Sequence, residues 1–238
     1  MTTDKCLYDQ VGFNNKKTNI VKLKIGILIF FLCQIVQAQQ SKMTENRNTY
    51  NSDFIASSTL KEKFNANGNS TNEFELIAQF NTDEKTSVFV KNNSKDSISL
   101  SHQDYSLYLL QEAKDENGLW QPIEYWESSS CGNSFGQIRI APYGIIETNS
   151  ERYHGDFKTT IRFKLSVNNK LYYSNELSGN INKKQFILPD DLNAIWPLHI
   201  VKEGLSMELK QKVIFLEPYG LAEFYEVLEQ PRNLKKKK

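Results

Sequence analysis

From Phe74 onward, apolar and polar side chains alternate in short runs with a period of two. Phe74, Leu76, Ala78 and Phe80 alternate with Glu75, Gln79 and Asn81, and only Ile77 breaks the order. A strand sends successive side chains to opposite faces, so the run predicts a half-buried β-strand. Val88 and Val90 continue the theme, Asn92-Asn93-Ser94 turns the chain, and Ile98 and Leu100 begin again. Tyr105, Leu107 and Leu109 then lead into Asp115-Glu116-Asn117-Gly118, a turn whose glycine supplies a positive φ, and Trp120, Ile123 and Tyr125 follow. The longest run sets Phe157, Thr159, Ile161, Phe163, Leu165 and Val167 on one face and Lys158, Thr160, Arg162, Lys164 and Ser166 on the other. Asn168-Asn169 turns it back through Leu171–Tyr173 as a hairpin, and Ile181 and Phe186-Ile187-Leu188 complete the set before Pro189. Short strands with Asn, Gly and Ser turns predict an all-β antiparallel sandwich or barrel.

The flanks read differently. Lys16, Lys17, Lys22 and Lys24 precede an apolar run, Ile25–Val36, and Val36-Gln37-Ala38 offers the small residue that signal peptidase needs. That run is shorter than the ~20 residues of a membrane span, and Gln34 interrupts it, so residues 1–38 are expected to be a signal peptide, with no transmembrane span in the mature chain from Gln39. The stretch before the lysines is long for a leader and contains Asp4 and Asp9; Val21 is an alternative start, and the choice stays open. Cys33 follows Phe30-Phe31-Leu32 without a small residue before it, which argues against lipoprotein processing. Residues 39–72 are rich in Ser, Thr and Asn, with Phe54, Ile55, Leu60 and Phe64 too sparse to define a face, and are expected to form a flexible linker. Residues 73–189 hold the strands. Residues 190–238 form a C-terminal extension expected to pack on them, since its apolar side chains would otherwise face water. Within it Leu205, Leu209, Val213 and Leu216 fit a helix, and Met207, Leu209, Val213 and Phe215 fit a strand equally well; Leu221–Leu228 leans helical.

Removing the leader's five Lys and two Asp from 29 basic and 28 acidic residues leaves 24 against 26, a net of −2. Four of those basic groups are Lys235–Lys238, so the body has no concentrated basic surface for nucleic acid. Cys6 and Cys33 leave with the leader, and the remaining Cys131 has no partner for an intramolecular disulfide. Stability must then come from a hydrophobic core.

The layout of Phe74–Leu188 resembles the bacterial immunoglobulin-like sandwiches of secreted proteins. The resemblance rests on the Asn92-Asn93-Ser94 turn, the Asp115-Glu116-Asn117-Gly118 hairpin before Trp120, and Gly155-Asp156-Phe157 opening the longest strand. The last looks like the corner where that family places a tyrosine; Phe157 lacks its hydroxyl, and no cysteine pair spans the sheets. The resemblance implies an antiparallel β-sandwich and carries no activity with it.

Several residues are candidates for chemistry. Cys131 lies in the polar loop Ser128–Ser134, and a nucleophilic thiol there would need His154 with Asp156 as its base. Asp115, Asn117, Gly118 and Glu124 match four places of a calcium loop that would begin at Ala113, which has no oxygen to give; a hairpin turn accounts for the same residues. His102, His154 and His199 have no zinc spacing. The aromatics Trp120, Trp126, Tyr143, Tyr153, Tyr172 and Tyr173 remain, and Trp126, Tyr143, Tyr153 and Tyr172 are the candidate binding residues if their rings are exposed. The expectation is an exported, periplasmic or secreted, non-enzymatic module without a cofactor. It would bind an envelope or extracellular protein, with the loop Glu127–Gly136 long enough to be presented to it. A carbohydrate-binding module is the second reading and a cysteine-dependent enzyme the third.

Overall fold

The computed structural model describes residues 42–66, 72–195, 197–198 and 205–235. The described residues belong to one compact unit, Lys42–Lys238. The leader with its Lys16–Ala38 features, His199 and the last three lysines lie outside the described residues. In chain order the elements are β1 (Thr44–Glu45), β2 (Asn48–Asn51), α1 (Ser58–Ala66), β3 (Phe74–Phe80), β4 (Lys85–Asn92), β5 (Ile98–Gln103) and β6 (Ser106–Leu107). Then come β7 (Leu109–Lys114), β8 (Trp120–Pro122), β9 (Glu124–Tyr125), β10 (Phe135–Ile140), β11 (Ile145–Glu151), β12 (Phe157–Val167), β13 (Lys170–Tyr173) and β14 (Leu177–Ile181). Two helices follow, α2 (Met207–Ile214) and α3 (Gly220–Lys235). Among the described residues no helix is long and apolar enough to cross a membrane.

The chain is mostly β, as the alternation predicts, and its larger sheets are antiparallel. One sheet runs β2-β11-β4-β3, a second β10-β5-β6, and a third β13-β12-β7-β8 with β14 also on β12; β1 and β9 form a short parallel pair. The main core takes Phe74, Leu76 and Ala78 from the first sheet, Leu100 and Ile138 from the second, and Phe163 and Leu165 from the third. All three sheets therefore bury a face in one interior.

The odd Ile77 has a physical reason. It leaves that core and packs with Phe89 against Leu60 and Phe64 of α1. The sheet is covered on both faces there, so strict alternation is not required.

The same contact corrects the expected linker. Residues 42–66 include two strands and a helix: β2 pairs with β11 from Asn48↔Ser150 to Asn51↔Glu147, and Ser57 Oγ accepts from Leu60 N at 3.2 Å to cap α1. Leu60 and Phe64, four apart on one helix face, suffice because the sheet supplies the rest of the cluster. The extension resolves to helices. Ser206 Oγ caps α2 by accepting from Leu209 N at 3.1 Å, and Leu216 at φ 54° ends it, with Glu217 N donating to Lys212 O at 2.9 Å. Its side chains form a core of their own with Met43 and Leu192, and Leu216 reaches Leu110 and Trp126.

Asparagine amides do part of the work of missing strands. Asn48 Nδ2 donates to Leu107 O and its Oδ1 accepts from Leu107 N, both at 2.9 Å. Asn175 treats Ala78 the same way, accepting from its N–H at 2.7 Å and donating to its carbonyl at 3.1 Å. Ala78 sits on β3, the edge of the first sheet, so the amide closes one rung of an otherwise open ladder.

Candidate functional site

The four candidate aromatics do not come together. Trp126 is 6% exposed, packed with Leu110 and Leu216 and edge-on to Tyr108 at 5.4 Å, so it is a core residue rather than a surface ring. Tyr172 is buried edge-on to Phe74, and its hydroxyl donates to Glu73 Oε2 at 3.2 Å. Tyr153 points inward: its hydroxyl donates to Glu124 Oε1 and meets Thr44 Oγ1, both at 2.8 Å, and burial with the Glu124 charge pushes its pKa well up. Tyr143 alone stands free, on the turn between β10 and β11 at φ 55°. Of the two other rings, Trp120 and Tyr173 flank the Arg162 guanidinium at 4.1 and 3.9 Å.

Glu124 explains why the calcium reading fails. Its carboxyl is fully buried and takes four protein donors: Gln111 Nε2 and Tyr153 Oη on Oε1, and Asn46 Nδ2 and Gln111 N on Oε2, all within 2.8–2.9 Å. Ala113 is a core residue, and Asp115 Oδ1 caps its own turn by accepting from Asn117 N and Leu119 N. Burial raises the Glu124 pKa although all four hydrogen bonds pull it down.

The outer face of β12 is also buried in part. Lys164, on the polar face opposite Phe163 and Leu165, is 1% exposed, with Nζ 3.1 Å from Glu112 Oε1 and 2.6 Å from Glu217 Oε1. Arg162 holds the other oxygen of Glu112 through Nε at 2.8 Å and Nη2 at 2.7 Å. The segment between α2 and α3, which carries Glu217, is what covers this face.

The most unusual exposed feature is the β5–β6 hairpin. Gln103 pairs with Ser106, leaving Asp104 at φ 48° and Tyr105 at φ 64° as a two-residue loop. Both positions need positive φ in such a turn, which favours Asn and Gly. The β12–β13 hairpin obeys that preference with Asn168 and Asn169 at 50° and 61°. A bulky tyrosine in that region is strained. The strand expected to begin at Tyr105 instead begins after it, and the ring is 63% exposed.

Everything around Tyr105 holds it there. Its carbonyl accepts from Tyr50 N at 2.8 Å, its N–H donates to His102 Nδ1 at 3.2 Å, and the His102 ring stacks on it at 5.6 Å and 14°. Because Nδ1 accepts, the neutral imidazole carries its proton on Nε2. A Cβ on Gly136, the residue paired with His102, would sit 2.5 Å from that Nε2, so glycine makes room for the ring. Asp104 N donates to Ser134 O at 2.7 Å and ties the hairpin to the Glu127–Gly136 loop. Gln103 binds that loop with both amide atoms, to Ser129 N and Glu127 O. Beside it Phe135 is 45% exposed and Cys131 is exposed, its N–H on Ser129 Oγ. His154 is engaged elsewhere, with Nε2 2.5 Å from Asp83 O. Asp104 and Ser106 are turn residues, but no Asn or Gly stands at the positive-φ positions, so the alternation of Tyr105, Leu107 and Leu109 put the strand start one residue too early.

Comparison with known proteins finds no family model that matches this chain and no curated protein similar to it.

Proposed function

We propose that this chain is an exported, non-enzymatic module of immunoglobulin-like β-sandwich layout that binds a protein of the cell envelope or its exterior. The contact surface is the tip formed by Tyr105, His102, Phe135 and the Glu127–Gly136 loop. The observation that carries the reading is Tyr105. A large ring is held at a φ that costs on the order of 1–3 kcal/mol, and the ring points to water, where it contributes little packing in return. Tyr143 and Tyr219 are also exposed tyrosines at positive φ, 55° and 65°; what sets Tyr105 apart is its setting, with His102 stacked on the ring and the exposed Phe135 beside it, and tyrosine is a frequent interface anchor. Export rests on the lysine-flanked apolar run Ile25–Val36 and on Val36-Gln37-Ala38.

A photo-cross-linking residue at position 105 in the native envelope tests the reading. It is expected to give a protein adduct of defined mass, and Tyr105→Asn is expected to reduce recovery of that protein at least about tenfold, as for an interface anchor. The same probe at Tyr143 serves as the control and should give no such adduct. Equal capture from both positions, or no adduct from 105, would defeat the assignment.

A further inference from the structure

We propose that the cavity over Tyr108 is a binding site for one uncharged sugar ring. The cavity lies where the chain leaves its pairing with β5 at Leu107 and begins to pair with β12 at Leu109, and it is roofed by Leu216 and Glu217 between α2 and α3 and by Leu221 of α3. Its volume is about 210 Å³, below the ~300–1,000 Å³ of drug-sized sites. It therefore takes a single small ring.

The lining selects the chemistry. Ser99, Ser101, Ser166 and Tyr108 line it, the first two exposed and the others half-buried; Ser166 N donates to Tyr108 O at 2.9 Å, and among the described residues the four hydroxyls have no hydrogen-bond partner. Such groups both donate and accept, as do sugar hydroxyls. The Tyr108 hydroxyl, protonated at neutral pH as for any tyrosine, is able to donate. Its ring is fixed against Trp126. The Asn168 and Asn169 amides stand at the rim, where Tyr219 N holds Asn169 Oδ1 at 3.0 Å. Leu216 and Leu221 offer an apolar wall to the C–H face of a ring, while Leu165 and Val167 turn their side chains into the main core.

Charge narrows the class further. Glu217 is the one ionisable acid in the lining, no Lys, Arg or His joins it, and its Oε1 is already held by Lys164. An anion would meet a carboxylate with no cation in the wall. A purely apolar ligand would strand the four hydroxyls. A neutral polyol satisfies both constraints.

Saturation-transfer NMR on the full chain tests this with methyl β-D-glucopyranoside, methyl α-D-mannopyranoside and methyl N-acetyl-β-D-glucosaminide. Cyclohexylmethanol serves as a ring of similar size without the hydroxyl set. Saturable transfer to at least one glycoside and none to cyclohexylmethanol is expected. Tyr108→Phe should weaken binding about threefold or more, the loss of one hydrogen bond. Ser101→Leu and, separately, Ser166→Leu fill the cavity and should weaken it at least about tenfold, with circular dichroism confirming that each is folded. Tyr105→Asn should leave it unchanged, which separates this site from the hairpin tip. The proposal is overturned if no glycoside gives saturable transfer, if cyclohexylmethanol gives as much, or if binding survives both leucine variants.

Discussion

Tyr105 and Glu124 are among the residues that sit where intrinsic preference would not put them, and each has a measurable signature. Tyr105 occupies a turn position that the chain fills elsewhere with Asn169 at nearly the same φ. Replacing Tyr105 by Asn should therefore raise stability by on the order of 0.5–1 kcal/mol, relief of left-handed strain less the lost ring stacking, as read from urea midpoints. A loss of stability would mean that the ring is held for packing and not for contact. Glu124 gives a pH signature. Its folded pKa is raised, because burial outweighs its hydrogen bonds. A raised acid pKa means that the folded state holds the proton more tightly than the unfolded chain. Its stabilising contribution is then complete below the ordinary carboxylate value of about 4.3 and is lost as pH climbs through the raised value. Compared with Glu124→Gln, the wild-type midpoint should fall as pH climbs above the ordinary carboxylate value of about 4.3. Parallel profiles would exclude a titrating Glu124. Glu45, raised by burial and by Glu127, shifts the same way and is common to both proteins.

Among the elements, β12 shows how far a pattern can be read. Its period of two is local information, and both the strand and its Asn168-Asn169 hairpin form where the alternation places them. What alternation does not encode is which faces are covered. Phe163→Ala on the inner face should cost about 3–5 kcal/mol. Lys164→Ala on the outer face should cost a similar amount, because it leaves Glu112 and Glu217 without the cation between them. Lys158→Ala, on the same strand but exposed, should stay within about 0.5 kcal/mol. Chemical denaturation of the three proteins decides it; a mild Lys164 effect would show that the cluster is solvated. Helix α1 was illegible for a related reason. Leu60 and Phe64 look scattered until β3 and β4 bring Ile77 and Phe89 to them. The ambiguous tail was settled by one local signal, the Ser206 cap, which periodicity does not weigh.

At the scale of the molecule, the C-terminal extension decides which aromatic groups meet solvent. Trp126 opens a polar loop and reads as surface, yet Leu216 comes from ninety residues later to cover it. No local rule anticipates such a contact, which is why the sequence pointed to Trp126, whose ring is buried, while Tyr105 and Phe135 are among the exposed rings. The Asn175 clamp on Ala78 has a consequence for the ageing of the protein. Asparagine amides hydrolyse spontaneously, and conversion of this one to a carboxylate would replace the donor facing the Ala78 carbonyl with a second acceptor. The rung at β3 would open, and an open strand edge is a template for another chain. Asn175→Asp is therefore expected to remain folded but to elute in larger, concentration-dependent species on size exclusion, with Asn175→Gln restoring part of the monomer. On that view one side chain acts as the molecule's clock, setting how long a preparation stays dispersed.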